Sequence, residues 1–311
     1  MNSARCAREA EAQDILKRFI IYRDPSAIGF SFWHFSVFVI AQTAVWLVLN
    51  YFIWKAIRPD VLASQLSAPW YAYVGWFALI HLLLGLFEYF FHRYVLHSAF
   101  WSLLRPMKRK HTEHHSHTHV RELANTEDTE GRLRVRNKYP IISPEQIESS
   151  AFPAYALLSF WLLFSLALIP AQLWFVNAPL LLSGYIAVTA SFALYEIKHA
   201  VEHLDYDKHW KERVERSRFF RTWYAFHLMH HSRIRVNQAI GGVFALPVWD
   251  WVFRTYFIPK ELPLPGSRVS PDSQSPPKPV ALLRWLDRVV ANAEARLVNR
   301  DKARAIRRSA R

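Results

Sequence analysis

Long uncharged stretches alternate along this chain with strongly polar ones. Residues 30–54 are 25 positions without Asp, Glu, Lys or Arg, and at 1.5 Å per helical residue they can cross the roughly 30 Å of hydrocarbon in a bilayer. A second uncharged run, 69–87, carries His81 near its middle and meets its first charge at Glu88, which predicts a span over about 69–91. From 149 to 195 there are 47 consecutive residues without a formal charge, and Pro170, Asn177 and Pro179 are turn signals near the middle. This predicts a hairpin with spans over about 149–170 and 176–197. Ser143-Pro144-Glu145-Gln146 marks the start of its first helix, with Ser143 as cap, Pro144 in the first turn and Gln146 closing a capping box. Core helices of soluble proteins seldom run this long without a charge.

The charges outside these runs are unevenly placed. Of 39 Lys and Arg residues, 5 precede residue 30, 10 lie in 93–148 and 22 follow 197, against 2 in the loop 55–68 and none in the turn 170–179. The positive-inside rule then puts both termini and the 93–148 loop in the cytoplasm. The expected class is an all-α integral membrane protein with about four transmembrane helices and a cytoplasmic helical cap. Residues 1–29 read as a short cytoplasmic segment without a signal peptide, and 30–258 as the membrane-bound domain. The seven Pro of 259–280 suggest a flexible linker. The tail 281–311 holds nine Lys and Arg against three acids, with Leu282, Leu286, Val289, Ala293 and Leu297 at helical spacing. It reads as a basic amphipathic helix, either lying on anionic lipid or solvated.

Composition narrows the chemistry. With 52% hydrophobic residues, 13 Trp and 22 Phe, the chain is neither disordered nor collagen-like. It lacks GxGxxG and GxxxxGK[ST], so nucleotide chemistry has no local support. The single cysteine, Cys6, rules out an internal disulfide and an all-thiolate zinc site. The net charge of +14 comes with no nucleic-acid-binding motif.

Ten of the 15 His residues fall in four clusters: His92 and His97; His111, His114 and His115 (HxxHH); His199 and His203 (HxxxH); and His227, His230 and His231 (HxxHH). On a helix, positions i, i+3 and i+4 lie within an arc of about 100°, so each HxxHH presents three imidazoles on one face. The first pair, five apart, diverges by about 140° on a regular helix. Those two either serve different metals or sit where the helix ends. Ten neutral imidazoles without a thiolate suit Fe, Zn, Cu or Ni and would give about five ligands to each of two metals.

This arrangement resembles the fatty acid hydroxylase and sterol desaturase superfamily of integral membrane di-iron enzymes, over about residues 87–256. The resemblance implies that His92, His97, His111, His114, His115, His199, His203, His227, His230 and His231 ligate two iron ions, with zinc able to substitute. It extends to Asn237 through Gly241 and to Pro247-Val248-Trp249-Asp250. Asn237 could hold a metal-bound water or bond a ligand's outer nitrogen, and Asp250 could equally cap a helix. Glu88, Glu196, Glu202 and Asp205 flank the clusters, where a carboxylate can orient a ligating imidazole. Members with a fused cytochrome b5 domain differ: residues 1–29 are too few for one and His-Pro-Gly-Gly is absent. The electron donor is therefore expected to be a separate cytochrome b5-like or ferredoxin-type protein.

The implied function is O2-dependent hydroxylation, or desaturation, of a C–H bond in a lipid, whose tail would reach the metals from the bilayer past aromatics such as Phe90, Phe91, Phe152 and Trp161. The competing class is a His-rich metal transporter or buffer, but transporters place ligands at mid-depth and only His81 lies there. An intramembrane zinc protease is disfavoured because no HExxH occurs. His34 and His81 sit at different depths, which argues against a bis-His haem, and His117, His119 and His209 read as solvated.

Overall fold

The computed structural model describes residues 31–150 and 152–309; the expected N-terminal segment 1–29 and Cys6 lie outside them. The chain is mostly helical, at 68%. In order, the elements are α1 (Phe32–Ile57), α2 (Pro59–Leu66), α3 (Trp70–Phe90) running on into a π turn (Phe91–Leu96), and α4 (Arg105–His117). Strands β1 (Val120–Glu122) and β2 (Leu133–Asn137) follow, then α5 (Pro144–Ser150), α6 (Ala156–Trp174), α7 (Leu180–Glu202), α8 (Lys211–Arg216) and α9 (Arg218–Ser232). The last are α10 (Val248–Phe253), β3 (Arg268–Val269) and α11 (Ala281–Ser309). Four stretches are long and apolar enough to cross a membrane: Phe32–Ile57, Trp70–Leu96, Ala156–Trp174 and Leu180–Glu202.

The described residues form two compact units. The first takes in residues up to Leu84 together with 152–197. Its outward faces are apolar, with Trp33, Ile40, Phe52, Leu166 and Trp174 all more than half exposed, as lipid-facing positions require. Inside, Trp161 is buried and stacks on Trp46 with centroids 5.3 Å apart, so it is a core residue. Some polar groups within the unit are paired with one another: Gln42 donates to the Ala154 carbonyl and His81 bonds Ser191. Gly184 lets α6 and α7 approach, since a Cβ there would lie 2.7 Å from Leu168.

Two boundaries differ from the sequence pattern. The capping box forms, with Gln146 Oε1 accepting from the Ser143 N–H at 3.1 Å, but it starts the separate helix α5, and the spanning helix begins only at Ala156, beyond Pro153. Pro170 sits inside α6, which continues to Trp174. The reversal is instead held by Gln172, fully buried, whose amide donates to the Ala178 carbonyl at 2.9 Å and accepts from the Leu181 N–H at 3.1 Å.

The second unit comprises Gly85–Ser150 and the chain from Lys198 onward. Its small antiparallel sheet, β1-β2-β3, aligns Val120 with Asn137 and Leu133 with Val269. Val120, Val135 and Val269 pack there with Tyr206, Trp210, Tyr224 and Leu228. The proline-rich stretch expected as a linker is thus built into this core, with Leu262, Val269 and Gln274 buried. A second core joins Tyr89, Tyr94, Ala239 and Phe253 to Leu283 of α11, so the basic tail is docked on this unit and is not solvated on all sides.

Replacing Gln172 by Ala is expected to leave a buried carbonyl and N–H unpaired and to cost about 1–3 kcal/mol, seen as a lower melting temperature of the detergent-solubilised protein.

Candidate metal centre

All ten clustered histidines lie in the second unit and resolve into two groups of five. His92, His97, His111, His115 and His230 form one; His114, His199, His203, His227 and His231 form the other. Within each group the ligand atoms all lie within 4.8 Å of one another. Each HxxHH is divided: on α4 the i and i+4 residues, His111 and His115, join the first group while His114 joins the second. On α9 His227 and His231 join the second and His230 the first. The groups are adjacent, the His115 and His231 rings stacking at 4.1 Å.

The pair spaced by five enters a single group because the helix changes pitch there. Residues 91–96 form a π turn with His92 inside it and His97 at its end. The i→i+5 pattern of a π turn brings positions five apart together, and the two rings sit 5.1 Å apart. Of the two readings of this spacing, separate metals or the end of the helix, the second holds: the helix changes type and ends there, and both rings join one group.

In both groups the Nε2 atoms converge. In the first they are 3.1 Å apart for His92 and His111, 3.0 Å for His97 and His230, and 3.1 Å for His111 and His115. In the second they are 3.2 Å for His114 and His199, 3.1 Å for His203 and His227, and 3.0 Å for His227 and His231. Half of the rings have their tautomer set by what Nδ1 meets. His92, His230 and His203 donate from Nδ1 to the carbonyls of Gln238 (2.6 Å), Val236 (2.9 Å) and Tyr139 (2.7 Å). His114 bonds the Ser150 hydroxyl, which itself donates to Gln146, and His231 bonds the Thr118 hydroxyl, which donates to His114. With its proton on Nδ1, each of these five rings aims a bare Nε2 lone pair inward. Several lone pairs packed at 3 Å repel unless a cation lies among them, so the donor set fits a metal ion. Ligand nitrogens at about 2.1 Å from an ion stand about 3 Å apart when they subtend a right angle.

Burial keeps the rings neutral. For His97, His111, His114, His115, His227, His230 and His231, desolvation first and neighbouring imidazoles second push the pKa well below the ordinary value. Neutral imidazole is the ligating form. The second group is fully buried, whereas His97, His111 and His115 of the first are only partly so.

The loop after α9 supplies two of the orienting carbonyls and is braced from several directions. Asn237, at φ 52°, donates to the Phe226 and Phe257 carbonyls and accepts from the Phe257 N–H. Asp250 accepts from the Gln238 and Ala239 N–H groups, both at 2.9 Å, and from Thr255. Glu88 accepts from the Gly241 and Gly242 N–H groups at 2.7 and 3.0 Å. Asn237, Glu88 and Asp250 thus hold the loop. Glu196 is buried on α7 within the first unit. Asp205 caps the turn that follows α7 by accepting from the Lys208 N–H, and His117 and His119 bond Ser149 and the Ser116 carbonyl. Sequence reasoning missed Ser150, Thr118 and the Tyr139 carbonyl as partners of the His rings. Carbonyls leave no residue-type signal, and Ser150 and Thr118 are recognisable only from the fold.

Compared with protein-family models, curated proteins and solved structures, the chain matches none.

The depressed His pKa values fix the sign of the pH dependence. Below about pH 6.5 the unfolded chain binds protons that the folded groups refuse, so stability is lost as pH falls. The melting temperature of metal-free protein is expected to hold above about pH 7 and to drop steeply, with several protons taken up, between about pH 6.5 and 5.

Proposed function

We propose that this protein is a membrane-bound non-haem di-iron oxygenase of the fatty acid hydroxylase and sterol desaturase type, which hydroxylates or desaturates a C–H bond of a lipid. The observation that carries the proposal is the sorting of ten imidazoles into two adjacent groups of five with inward Nε2 atoms, in a chain with four helices of membrane-spanning length. His92, His97, His111, His115 and His230 would hold one ion, and His114, His199, His203, His227 and His231 the other. Reduced by a separate electron-donor protein, two irons supply the O2-activating chemistry that an unactivated C–H bond requires and that no side chain offers.

The chain's own residues do the rest. Two membrane-length helices continue into the segments that bear the histidines: α3 leads into the turn holding His92, and α7 carries His199 in its last turn with His203 one residue past its end. A lipid-borne substrate is therefore the class such a site would meet. The buried carbonyls of Gln238, Val236 and Tyr139 keep the inward nitrogens unprotonated, and the buried second group excludes water from its interior. The bias of 37 of 39 basic residues to one side of the spans supports a cytoplasmic site with cytoplasmic termini. The transporter alternative loses support from His81, the mid-span histidine, whose Nδ1 is engaged by Ser191.

The purified protein is expected to hold two irons per chain by elemental analysis. Cells producing it should accumulate a lipid that is heavier by one oxygen or lighter by two hydrogens in mass spectrometry. His114→Ala and His230→Ala are each expected to abolish that product, by at least about a hundredfold. Lipid oxidation that survives both substitutions, or metal flux in proteoliposomes without O2 consumption, would overturn the proposal.

A further inference from the structure

The tail helix α11 carries three acids, Asp287, Glu294 and Asp301. Seven-residue spacing drifts only about 20° per step on a helix, so the three form one stripe. The same side bears Leu283 and Leu297, both buried. Every acid in the stripe meets a cation of the second unit. Asp287 takes a two-pronged bond from the buried Arg93 guanidinium, at 3.0 and 2.6 Å, and a bond from the Tyr94 hydroxyl at 2.9 Å. Glu294 accepts from the Ala99 N–H at 3.1 Å and pairs with Lys108 at 3.2 Å. Asp301 pairs with Arg105.

These contacts fall on the segments that carry the first His group. Arg93 and Tyr94 lie in the π turn between His92 and His97, and Ala99 is two residues past His97. Arg105 and Lys108 are in α4, ahead of His111 and His115 but also of His114 of the second group, so the contact specific to the first group is the one through Arg93. The third arm of Arg93 donates to the Arg235 carbonyl at 2.7 Å, one residue before Val236, whose own carbonyl orients His230. Through one guanidinium, α11 therefore joins the turn holding His92 to the loop whose carbonyls orient His92 and His230. The second group takes its orienting bonds from Ser150, Thr118 and Tyr139 instead.

We infer that α11 is a strap that positions the first His group: Asp287, acting through Arg93, sets that group's affinity for its metal and leaves the second group unchanged. The inference rests on the two-site reading above. Asp287 and Arg93 touch no Nε2 atom and act as positioning residues. Outer partners of metal-bound histidines typically change affinity by about 10- to 100-fold, and that is the effect assigned here to Asp287.

The test titrates the full-length, metal-free protein in detergent with Co2+ and follows the ion's absorption, comparing wild type with Asp287→Asn and Glu294→Gln. The expected result is two equivalents in wild type and, in Asp287→Asn, about tenfold or greater weakening of one equivalent with the other unchanged. Equal weakening of both equivalents, or of neither, would overturn the strap. If Asp287→Asn does not fold, Asp287→Glu, which keeps the charge and shifts its reach to Arg93, is read by the same criterion, with Glu294→Gln as a comparison that touches α4 as well. Amide hydrogen exchange on the metal-free proteins supplies an independent readout. Residues 91–97 and 235–238 are expected to exchange faster in Asp287→Asn while 199–203 keep their wild-type rate, and uniform rates across these segments would count against the strap. A wild-type chain binding fewer than two Co2+ ions sinks the two-site reading, and the strap is then decided by the exchange data.

Discussion

Crowding five imidazoles around one point in a dry interior is feasible only if their inward nitrogens are bare and something positive can lie between them. That electrostatic requirement governs the second unit. A ring proton left on Nε2 would point into its neighbours, and in five of the ten rings the protein claims the proton on the far side of the ring with a carbonyl or a hydroxyl that is itself committed elsewhere. Carbonyl acceptors must in turn be rigid, which explains why a short loop after α9 draws on Asn237, Asp250 and Glu88 together. Two buried polar side chains and the half-buried Glu88 spent on one loop would be costly anywhere else, since a buried polar group is tolerated only when bonded.

Helix periodicity divides the histidines. In HxxHH the first and last imidazoles stand one above the other and the middle one is turned to the side, so each helix feeds both groups, and α4 and α9 do so in opposite senses. The remaining two members of each set come from the end of a membrane-length helix or the residue just past it. On α7 the HxxxH pair needs only ordinary pitch. On α3 a spacing of five needs a π turn, which also leaves Arg93 and Tyr94 between the two histidines to meet α11.

Much of this was legible in the sequence because it depends on residue type and spacing. Absence of charge marked the four spans, and the His spacings marked the ten side chains that the fold sorts into groups. Helix ends were less legible. Pro170 looked like a stop but lies within α6, because the real turn is secured by Gln172, a residue with no turn preference. The capping box at Ser143 was correctly recognised but belongs to α5, since Pro153 separates it from the span. The spacing of His92 and His97 left separate metals and a helix end both open, and the change to a π turn at the helix end decides between them. The docking of α11 was signalled by three acids at seven-residue intervals in a basic segment, a pattern obscured by the net charge of the tail. Carbonyl partners such as Gln238 and Tyr139 could not be read at all, because a main-chain oxygen is the same in every residue.

The unequal burial of the two His groups has a consequence for assembly. The second group is enclosed on all sides by protein, while three members of the first keep partial access to solvent. An ion destined for the enclosed group must enter while α4, α7 and α9 are still coming together, or wait for a local opening of the folded unit. The partly open group could exchange an ion held there in the finished protein. If each group takes an ion, filling and emptying would have a built-in order, and a chelator acting on the intact chain would strip the two groups at very different speeds even if their affinities were equal.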